Sequence, residues 1–510
     1  MKKNTKNIKQ SMVMHRNTQS SERAKEAELN QVINQDVEND NYTGLYSKGM
    51  THNSTTLVAD ESKIKELQIA MKSGEQKDFD DLDKAGARKQ VSPQAGLSFE
   101  NMGGDPEGFT MPAAPHLSSR QAASEMIEVF EKCILRDKTF SQLNEGGSDV
   151  DADRAVSSLN VFGSDFKGPK VDGQVTRKSL FRGVAPGELV GPYVSQFLLH
   201  PVTFGAHSIE QKYKARTGTY GITESNYLSI QNGNIPVPQT LGNLRYCSTP
   251  RDLASLVHVD FVYQQLLYAA LILMGMPRQS AFPTLAKEDR FVTNGGPVDL
   301  GCAVAEVARH ALKAAWVQKW RNHLRLRPEA MAARIVKEIE GVLPAGTVHA
   351  DAISSATIDA VKAYNLVNGG EEKPFLPLQV AEGSPTHPAY PAGHAAISGA
   401  CVTIIKLFIA DGSFSSTGLT PKESLDGSTL STYTGADASQ MTIHGELNKI
   451  ASNIAIGRNM CGVHYRSDGD EGMKLGEKVA IQYFKDLRAQ QNENIGKVTI
   501  VKFDGTEEEV

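Results

Sequence analysis

A short turn rich in proline and glycine carries two histidines and leads into an apolar segment. The turn is Thr386-His387-Pro388-Ala389-Tyr390-Pro391-Ala392-Gly393-His394. Pro391 and Gly393 favour a tight turn, and the small apolar residues at 395–405 predict a buried helix after it. A helix N-terminus offers unpaired N–H groups and a partial positive charge, so it can bind an anion. Taken alone, the turn is equally consistent with a loop that enters a core helix.

Cationic side chains recur in two further stretches, one before this turn and one after it. Upstream, Lys319 and Arg327 form the pattern K-x7-R-P; downstream, Arg458 opens the pattern R-x3-G-x-H-x3-D. Cations that cluster in a buried pocket repel one another, so they require an anion of comparable charge. Arginine forks and a lysine point charge suit a tetrahedral oxyanion such as phosphate or vanadate. Each cation alone could instead be a surface or salt-bridged residue.

The downstream pattern also places a carboxylate four residues after a histidine. His464 and Asp468 would lie on one helical face if the helix includes both. A carboxylate in that position can keep one ring nitrogen protonated and so direct the other nitrogen at an electrophile. The pair is therefore a candidate for an oriented nucleophile or ligand.

The three patterns, in this order and at these spacings, resemble the signature of the vanadium-dependent haloperoxidases. These enzymes belong to the type 2 phosphatidic acid phosphatase superfamily. The block from His387 to His394 is more similar to red-algal and cyanobacterial bromoperoxidases than to fungal chloroperoxidases. Weaker similarity at residues 180–183, 191–197 and 250–254 extends the resemblance over most of the chain beyond its N-terminal arm.

The resemblance implies a role for each site residue. It makes His464 the protein ligand bonded to vanadium, with Asp468 behind it, and makes His394 the acid–base group on the opposite side. His387 matches an additional active-site histidine of the bromoperoxidase branch. The residues implied to hold the oxygens of vanadate are Lys319, Arg327, Arg458 and the backbone N–H of Gly393.

The chain departs from the family pattern at two positions. The family's turn is usually Pro-Ser-Gly-His, and its serine hydroxyl donates a hydrogen bond to the oxyanion; here Ala392 takes that position. The loss of one charge-assisted hydrogen bond weakens binding by about 1.5–3 kcal/mol, or roughly ten- to hundredfold. We therefore expect weaker or retuned anion binding rather than its loss. Gln318 is the second variation, because some relatives have there an arginine that affects halide handling.

The activity implied by the resemblance is that of a vanadate-dependent bromoperoxidase. Hydrogen peroxide and bromide or iodide would give hypohalous acid equivalents that halogenate small organic substrates, without haem. One alternative is a soluble acid phosphatase in which His464 attacks phosphorus and His394 protonates the leaving group. Another is a non-catalytic oxyanion-binding or assembly protein. Chain length, His387 and the upstream similarity favour the haloperoxidase; structural calcium or magnesium stays open.

Composition excludes several other classes of protein. The 510 residues are 40% hydrophobic and 22% charged, which is ordinary for a globular protein. A net charge of −5, with no strongly basic region, argues against a nucleic-acid partner. Five scattered cysteines without a C-x2-C pair argue against a zinc site and imply no disulfide framework. The most apolar segment, 266–276, is too short to span a bilayer, and no signal peptide is evident; we expect no membrane partner and a cytoplasmic or otherwise soluble chain.

The elements predict an all-α fold with minor β-hairpins. We expect two four-helix bundles of the vanadium haloperoxidase and acid phosphatase type, with the site at the end of one bundle. Residues 1–45 predict a flexible or subunit-contacting arm, and residues 46–510 one large helical domain whose active-site half covers about 300–490. The site helices are predicted at 251–276, 303–326, 328–342, 393–410, 439–458 and 462–490, and a terminal hairpin at 497–506. Relatives of this branch imply a homo-oligomer, either a dimer or a dodecamer.

Overall fold

Helices dominate the computed structural model, which describes residues 31–100, 102–144, 147–234, 239–277, 280–282, 291–491, 493 and 496–510. Within those ranges the α-helices are α1 Gln35–Glu38, α2 Glu61–Ser73, α3 Gln76–Asp80, α4 Arg120–Ile134, α5 Phe140–Asn144, α6 Val150–Asn160, α7 Glu224–Gln231, α8 Pro250–Leu256, α9 Gln264–Met274, α10 Pro297–Val317, α11 Pro328–Ile339, α12 Ala356–Val367, α13 Gly393–Phe408, α14 Ile443–Met460 and α15 Arg466–Arg488. The all-α prediction is confirmed.

Eight short strands form four antiparallel pairs within the described residues. They are β1 Val202–Phe204 with β2 His207–Ile209, β3 Tyr213–Arg216 with β4 Leu241–Arg245, β5 Lys422–Glu423 with β6 Ser431–Thr432, and β7 Thr499–Val501 with β8 Glu507–Glu509. The last pair confirms the predicted C-terminal hairpin, with Ile500 opposite Glu508. None of these sheets contributes a residue to the candidate site.

One bundle contains the helices that carry the candidate site. Helices α10, α14 and α15 pack around α13, whose residues are buried along almost its whole length. The backbones of α13 and α15 approach closely because an added Cβ at Gly476 would collide with the carbonyl oxygen of Ala396. Gly399 meets Met473 in the same way. Small residues at this contact therefore bring the N-terminal ends of the two helices together.

A second group of helices packs around α4. Helices α6, α11 and α12 all contact α4, and α6 and α12 also contact each other. Ser119 caps α4 by accepting a hydrogen bond from the Ala122 N–H, which satisfies one of the free N–H groups of the first turn. Unusually for a buried helix, α4 also buries the carboxylates of Glu125, Glu128 and Glu131. The first two of these carboxylates contact the start of α15, whereas the carboxylate of Glu131 pairs with α6.

The predicted single helix at 251–276 is wrong. The chain forms α8 and α9 instead, separated by an irregular segment at 257–263. Three bonds to other parts of the protein hold that segment: the Val257 carbonyl accepts from Arg458, His258 contacts Glu382, and Asp260 contacts His394. These long-range contacts override the local helical preference, since propensity is weaker than tertiary packing.

Two further boundaries differ from the predictions. Helix α10 ends at Val317 and continues as a π-helical turn over Gln318–His323, which Leu324 ends with a φ of 42°. Helix α15 begins at Arg466 rather than at residue 462, so His464 lies in the turn before it. His464 and Asp468 therefore do not share a helical face, although they still meet.

The N-terminal arm is described only in its last part. Residues 1–30 lie outside the described residues, so the prediction made for them stays a prediction. The Asn34 side chain donates to the His323 carbonyl at 2.9 Å, and its backbone N–H donates to the Asn322 carbonyl at 3.0 Å. The end of the predicted arm thus packs on the π-helical turn. No helix in the described ranges is long and apolar enough to cross a membrane.

Candidate active site

His464 is oriented by the N-terminal cap of α15. The Asp468 carboxylate accepts the N–H of Tyr465 at 3.0 Å, and the same Oδ2 lies 2.8 Å from His464 Nδ1. Both side chains are buried. Because an ionised carboxylate only accepts, Nδ1 carries the proton and Nε2 presents a lone pair. The predicted His464–Asp468 contact is therefore present, built on a helix cap.

Arg327 lies between two of the predicted histidines. Its two terminal nitrogens are 2.9 Å from His464 Nε2 and 2.9 Å from His387 Nδ1. Its Nε donates to the His387 carbonyl at 2.9 Å, and a terminal nitrogen donates to the Val463 carbonyl at 2.7 Å. Since a guanidinium only donates, both ring nitrogens must accept. Arg327 precedes α11 in extended conformation, which directs its side chain into the bundle end.

Lys319 and Arg458 complete the cationic cluster. Lys319 Nζ donates to the carbonyls of Pro388 and Ala389 at 2.7 and 3.0 Å. Arg458 donates to the Val257 carbonyl at 2.5 Å, and its buried Nε has no hydrogen-bond partner in the described part of the chain. Among the described residues, the partners of these two cations and of Arg327 are carbonyls and histidine nitrogens, never a carboxylate.

The proline–glycine turn places His394 at the more open side of the site. Helix α13 begins at Gly393, and the N–H of Ala392 donates to the Asp468 carbonyl oxygen at 2.8 Å. His394 Nε2 lies 3.1 Å from Asp260 Oδ1. The side chain of His394 is 16% exposed, whereas that of His464 is 1% exposed. His394 is thus the histidine of this pair that solvent reaches more easily.

Burial and mutual repulsion shift the protonation of the whole cluster. Burial, followed by Arg327 and Lys319, holds the pKa of His464 and of His387 well below the usual value. Burial lowers the pKa of Arg327 to about 10. Burial and the charge of Arg327 together hold the pKa of Lys319 well below its usual value. An anion in the cluster would oppose each of these shifts, because it favours the charged form.

The pKa of His394 follows a different balance. Burial and the Arg458 charge lower it, while the carboxylate of Asp260 opposes them. Burial alone would raise the pKa of Asp260, but His394 and Arg458 bring it below its usual value. Asp260 therefore stays ionised beside His394, which suits a histidine that exchanges protons.

The structure brings together all the predicted site residues and adds two that the sequence reasoning missed. Asp260 was assigned to a helix interior, although the polar residues before the apolar 266–276 segment indicated that this stretch differs from an ordinary core helix. Arg325 contacts Asp468 at 2.7 Å. Its only signal in the sequence is the repeated arginine two positions before Arg327.

The donor set fits an oxyanion rather than a metal cation. No group of three or more His, Cys, Asp or Glu side chains suited to a metal ion occurs among the described residues. All five cysteines are free thiols, as the absence of an implied disulfide framework allows. In the part of the chain that the structure describes, the buried Arg458 Nε has no partner and the three cations have no carboxylate, which matches the donor pattern of bound phosphate or vanadate.

Ala392 takes the position where a side chain could add a donor. It is the N-cap residue of α13, is fully buried, and provides no side-chain cap. Ser, Thr, Asp and Asn are the usual residues at such a position. The site therefore relies on its cations and backbone N–H groups at this end.

Fold and site together define a helical-bundle protein with a buried cluster of cations and two oriented histidines. A family model described as the VCPO second helical-bundle domain matches residues 300–493. The chain is 31% identical to a vanadium-dependent bromoperoxidase of Corallina pilulifera over 91% of this chain and 90% of that protein. It is 32% identical to one of Ascophyllum nodosum over 77% and 72% of the two chains.

Comparison with solved structures gives the same family as the sequence comparison. The homohexameric structure of the second vanadate-dependent bromoperoxidase from Ascophyllum nodosum matches with a TM-score of 0.86 and 27% identity, covering 94% of this chain and 86% of that one. The chain belongs to the vanadium-dependent bromoperoxidase family.

Proposed function

We propose that this protein is a vanadate-dependent bromoperoxidase that uses hydrogen peroxide to oxidise bromide or iodide and so halogenates small organic substrates. Its family membership supports this activity. The observation in the structure that carries it is the cluster of Lys319, Arg327 and Arg458, three buried cations without a carboxylate partner among the described residues, around His464 Nε2. Such a cluster is stabilised by an anion of high charge.

In this proposal the cations and one histidine hold the cofactor. Lys319, Arg327, Arg458 and the N–H of Gly393 donate to the oxygens of vanadate, and His464 supplies the nitrogen ligand through Nε2. Asp468 keeps the proton of His464 on Nδ1, which leaves the Nε2 lone pair available. The bound vanadate supplies Lewis-acid activation of peroxide toward attack by the halide.

His394 takes the role of the acid–base group. Its lowered pKa leaves the ring neutral at physiological pH, so it can accept a proton from hydrogen peroxide. The Asp260 carboxylate stabilises the imidazolium that then forms, and the exposed part of the ring allows the proton to exchange with solvent. His387, which Arg327 holds through Nδ1, lines the same pocket and contacts Trp316 with ring centroids 4.8 Å apart.

We also propose that the chain assembles as a homo-oligomer, either a dimer or a larger assembly. The solved relative from Ascophyllum nodosum is a homohexamer, and this chain covers 86% of it. Light scattering of the purified protein tests this directly: a monomeric mass across the working concentration range would contradict it.

The test of the activity is bromination of monochlorodimedone by the purified protein with bromide and hydrogen peroxide. We expect activity only with added orthovanadate, suppression by excess phosphate, and loss in the His394→Ala variant. Without bromination at saturating vanadate the proposal fails. If the same protein then hydrolyses a phosphate monoester, the pocket serves a phosphatase; if it only binds the anion, it serves a binding protein.

A further inference from the structure

Arg325 lies directly behind the carboxylate that orients His464. One terminal nitrogen donates to Asp468 Oδ1 at 2.7 Å and to Ser467 Oγ at 2.9 Å. The other donates to Glu125 Oε2 on α4 at 2.9 Å. The guanidinium also stacks 3.9 Å from the centre of the Tyr465 ring, and the side chain is buried. Arg325 thus fixes the oxygen of Asp468 that does not contact His464.

The backbone of Arg325 connects the proline–glycine turn with the segment that carries Arg327. Its carbonyl accepts the N–H of Ala389, in the proline–glycine turn, at 2.9 Å. It lies two residues before Arg327 in an extended segment, where alternate side chains point the same way. Arg325 therefore contacts both the proline–glycine turn and the start of α15. It is also only two residues from Arg327, which lies between the two histidines.

We propose that Arg325, neutralised by Glu125, is a positioning residue that fixes Asp468 and through it aims His464 Nε2 at the bound oxyanion. The proposal rests on the assignment of His464 as the vanadate ligand. It implies that Arg325 governs the preference of the pocket for vanadate over phosphate. Vanadium(V) accepts a fifth ligand readily and so depends on the aim of the ring nitrogen, whereas phosphate stays tetrahedral and is held by charge and hydrogen bonds alone.

Arg466, the first residue of α15, provides a matched control. It is a buried arginine that pairs with Glu128 of α4 through a fork, with Nε to Oε2 at 2.9 Å, but it does not hydrogen-bond Asp468. Arg325→Met and Arg466→Met each leave a carboxylate of α4 without its arginine, so both should lower thermal stability. Only Arg325→Met removes a bond to the carboxylate behind His464.

The experiment measures the dissociation constants of orthovanadate and of inorganic phosphate for the vanadate-free full-length variants by equilibrium titration. We expect Arg325→Met to lower the vanadate preference, the ratio of the two constants, about 10- to 100-fold, the usual effect of losing an outer partner of a ligand. We expect Arg466→Met to keep the wild-type ratio. An unchanged ratio in Arg325→Met, or an equal fall in Arg466→Met, would overturn the proposal.

A second pair of variants covers the case in which Arg325→Met does not fold. Arg325→Lys keeps the charge but cannot hold Asp468 and Glu125 with one planar fork. It should lower the preference severalfold, while Arg466→Lys should not, and equal ratios in the two would again refute the proposal. A wild-type protein that binds vanadate no better than phosphate would instead contradict the proposed function, so the two failures are distinguishable.

Discussion

Two sets of buried cations lie side by side in this protein and differ in their counter-charges. Arg325 and Arg466, which we call the paired arginines, each contact a carboxylate of α4. Lys319, Arg327 and Arg458, which we call the pocket cations, hydrogen-bond only carbonyls and histidines among the described residues. Both sets are buried to a similar degree. The two sets therefore differ in counter-charge and not in burial.

The difference has an energetic consequence for each set. Removing one partner from a buried ion pair is strongly destabilising, because the other charge then stays buried alone. Removing one of several like charges that lack a counter-ion relieves repulsion instead. Replacing a pocket cation should therefore reduce anion affinity much more than folding stability. Replacing a paired arginine should reduce folding stability more than anion affinity.

The largest expected effect comes from Arg327→Met, compared with Arg466→Met. Arg327→Met should reduce vanadate-dependent bromination at least about 100-fold, since it removes the donor between His464 and His387. Arg466→Met should keep the activity of the folded fraction but destabilise the protein, although Glu128 still pairs with Lys132. Activity assays and denaturant unfolding of the vanadate-free proteins measure both. The comparison fails if the two variants lose stability and activity in the same proportion.

A smaller effect is expected at His394, the proposed acid–base group. Asp260→Asn keeps the shape of the side chain but removes the charge 3.1 Å from His394 Nε2. The imidazolium formed during turnover would lose its stabilising partner, so kcat should fall about 10- to 100-fold. Vanadate affinity should stay nearly unchanged, because Asp260 contacts none of the pocket cations through a hydrogen bond within the described ranges. A loss of affinity without a loss of kcat would contradict this assignment.

Ala392→Ser sharpens the comparison by adding a donor to the pocket. A serine hydroxyl at the start of α13 would reach a bound oxyanion, and one charge-assisted hydrogen bond is worth about 1.5–3 kcal/mol. Vanadate affinity should therefore rise roughly tenfold, as measured by titration of the vanadate-free protein. Ala389→Ser, in the same turn and also buried, is the control and should not tighten binding. An unchanged affinity in Ala392→Ser would mean that the hydroxyl does not face the anion.

The smallest effect is a pH dependence of stability. The pKa values of His387, His464 and His394 are lowered below 6.5. The unfolded chain therefore takes up protons before the folded chain as the pH falls below about 6.5, and stability decreases. A bound dianion raises these pKa values, so sulfate, whose charge is constant here, should raise Tm by more at about pH 5.5 than at about pH 7.5.

The control for this prediction is His387→Gln, which removes one of the three titrating rings. The rise in Tm caused by sulfate should still be larger at low pH than at high pH, but the difference between the two pH values should be smaller in this variant than in the wild type. A sulfate effect that is independent of pH in both proteins would show that the pocket histidines do not sense the anion.

How far the sequence predicted the site depends on whether a contact is local. Lys319, Arg327 and His464 could be predicted because their spacing forms a pattern, and the apolar segment after Gly393 predicted α13. The His464–Asp468 contact was predicted on a helical face, but it forms at the cap of α15, since Asp468 also satisfies the Tyr465 N–H. The prediction that these two side chains meet is therefore correct, but the predicted geometry of their contact is wrong.

Contacts between distant segments were not predictable from local patterns. The break at 257–263 exists because Arg458, Glu382 and His394 bond to it from other elements, whereas local propensity favoured one continuous helix. The ion pairs of the α4 carboxylates with distant arginines could likewise not be predicted. The arginine partners of Glu125 and Glu128 lie 200 and 338 residues away in the sequence.

The most direct test of the account is a titration of the vanadate-free protein with orthovanadate, with phosphate as competitor, for the wild type and for Arg458→Met. Arg458 has a buried Nε without a partner, so its contribution should appear only when an anion is bound. The account predicts one saturable site per chain, competition by phosphate, and at least about tenfold weaker binding in Arg458→Met. No saturable binding, or equal affinity in both proteins, would contradict the claim that the pocket cations form the oxyanion site.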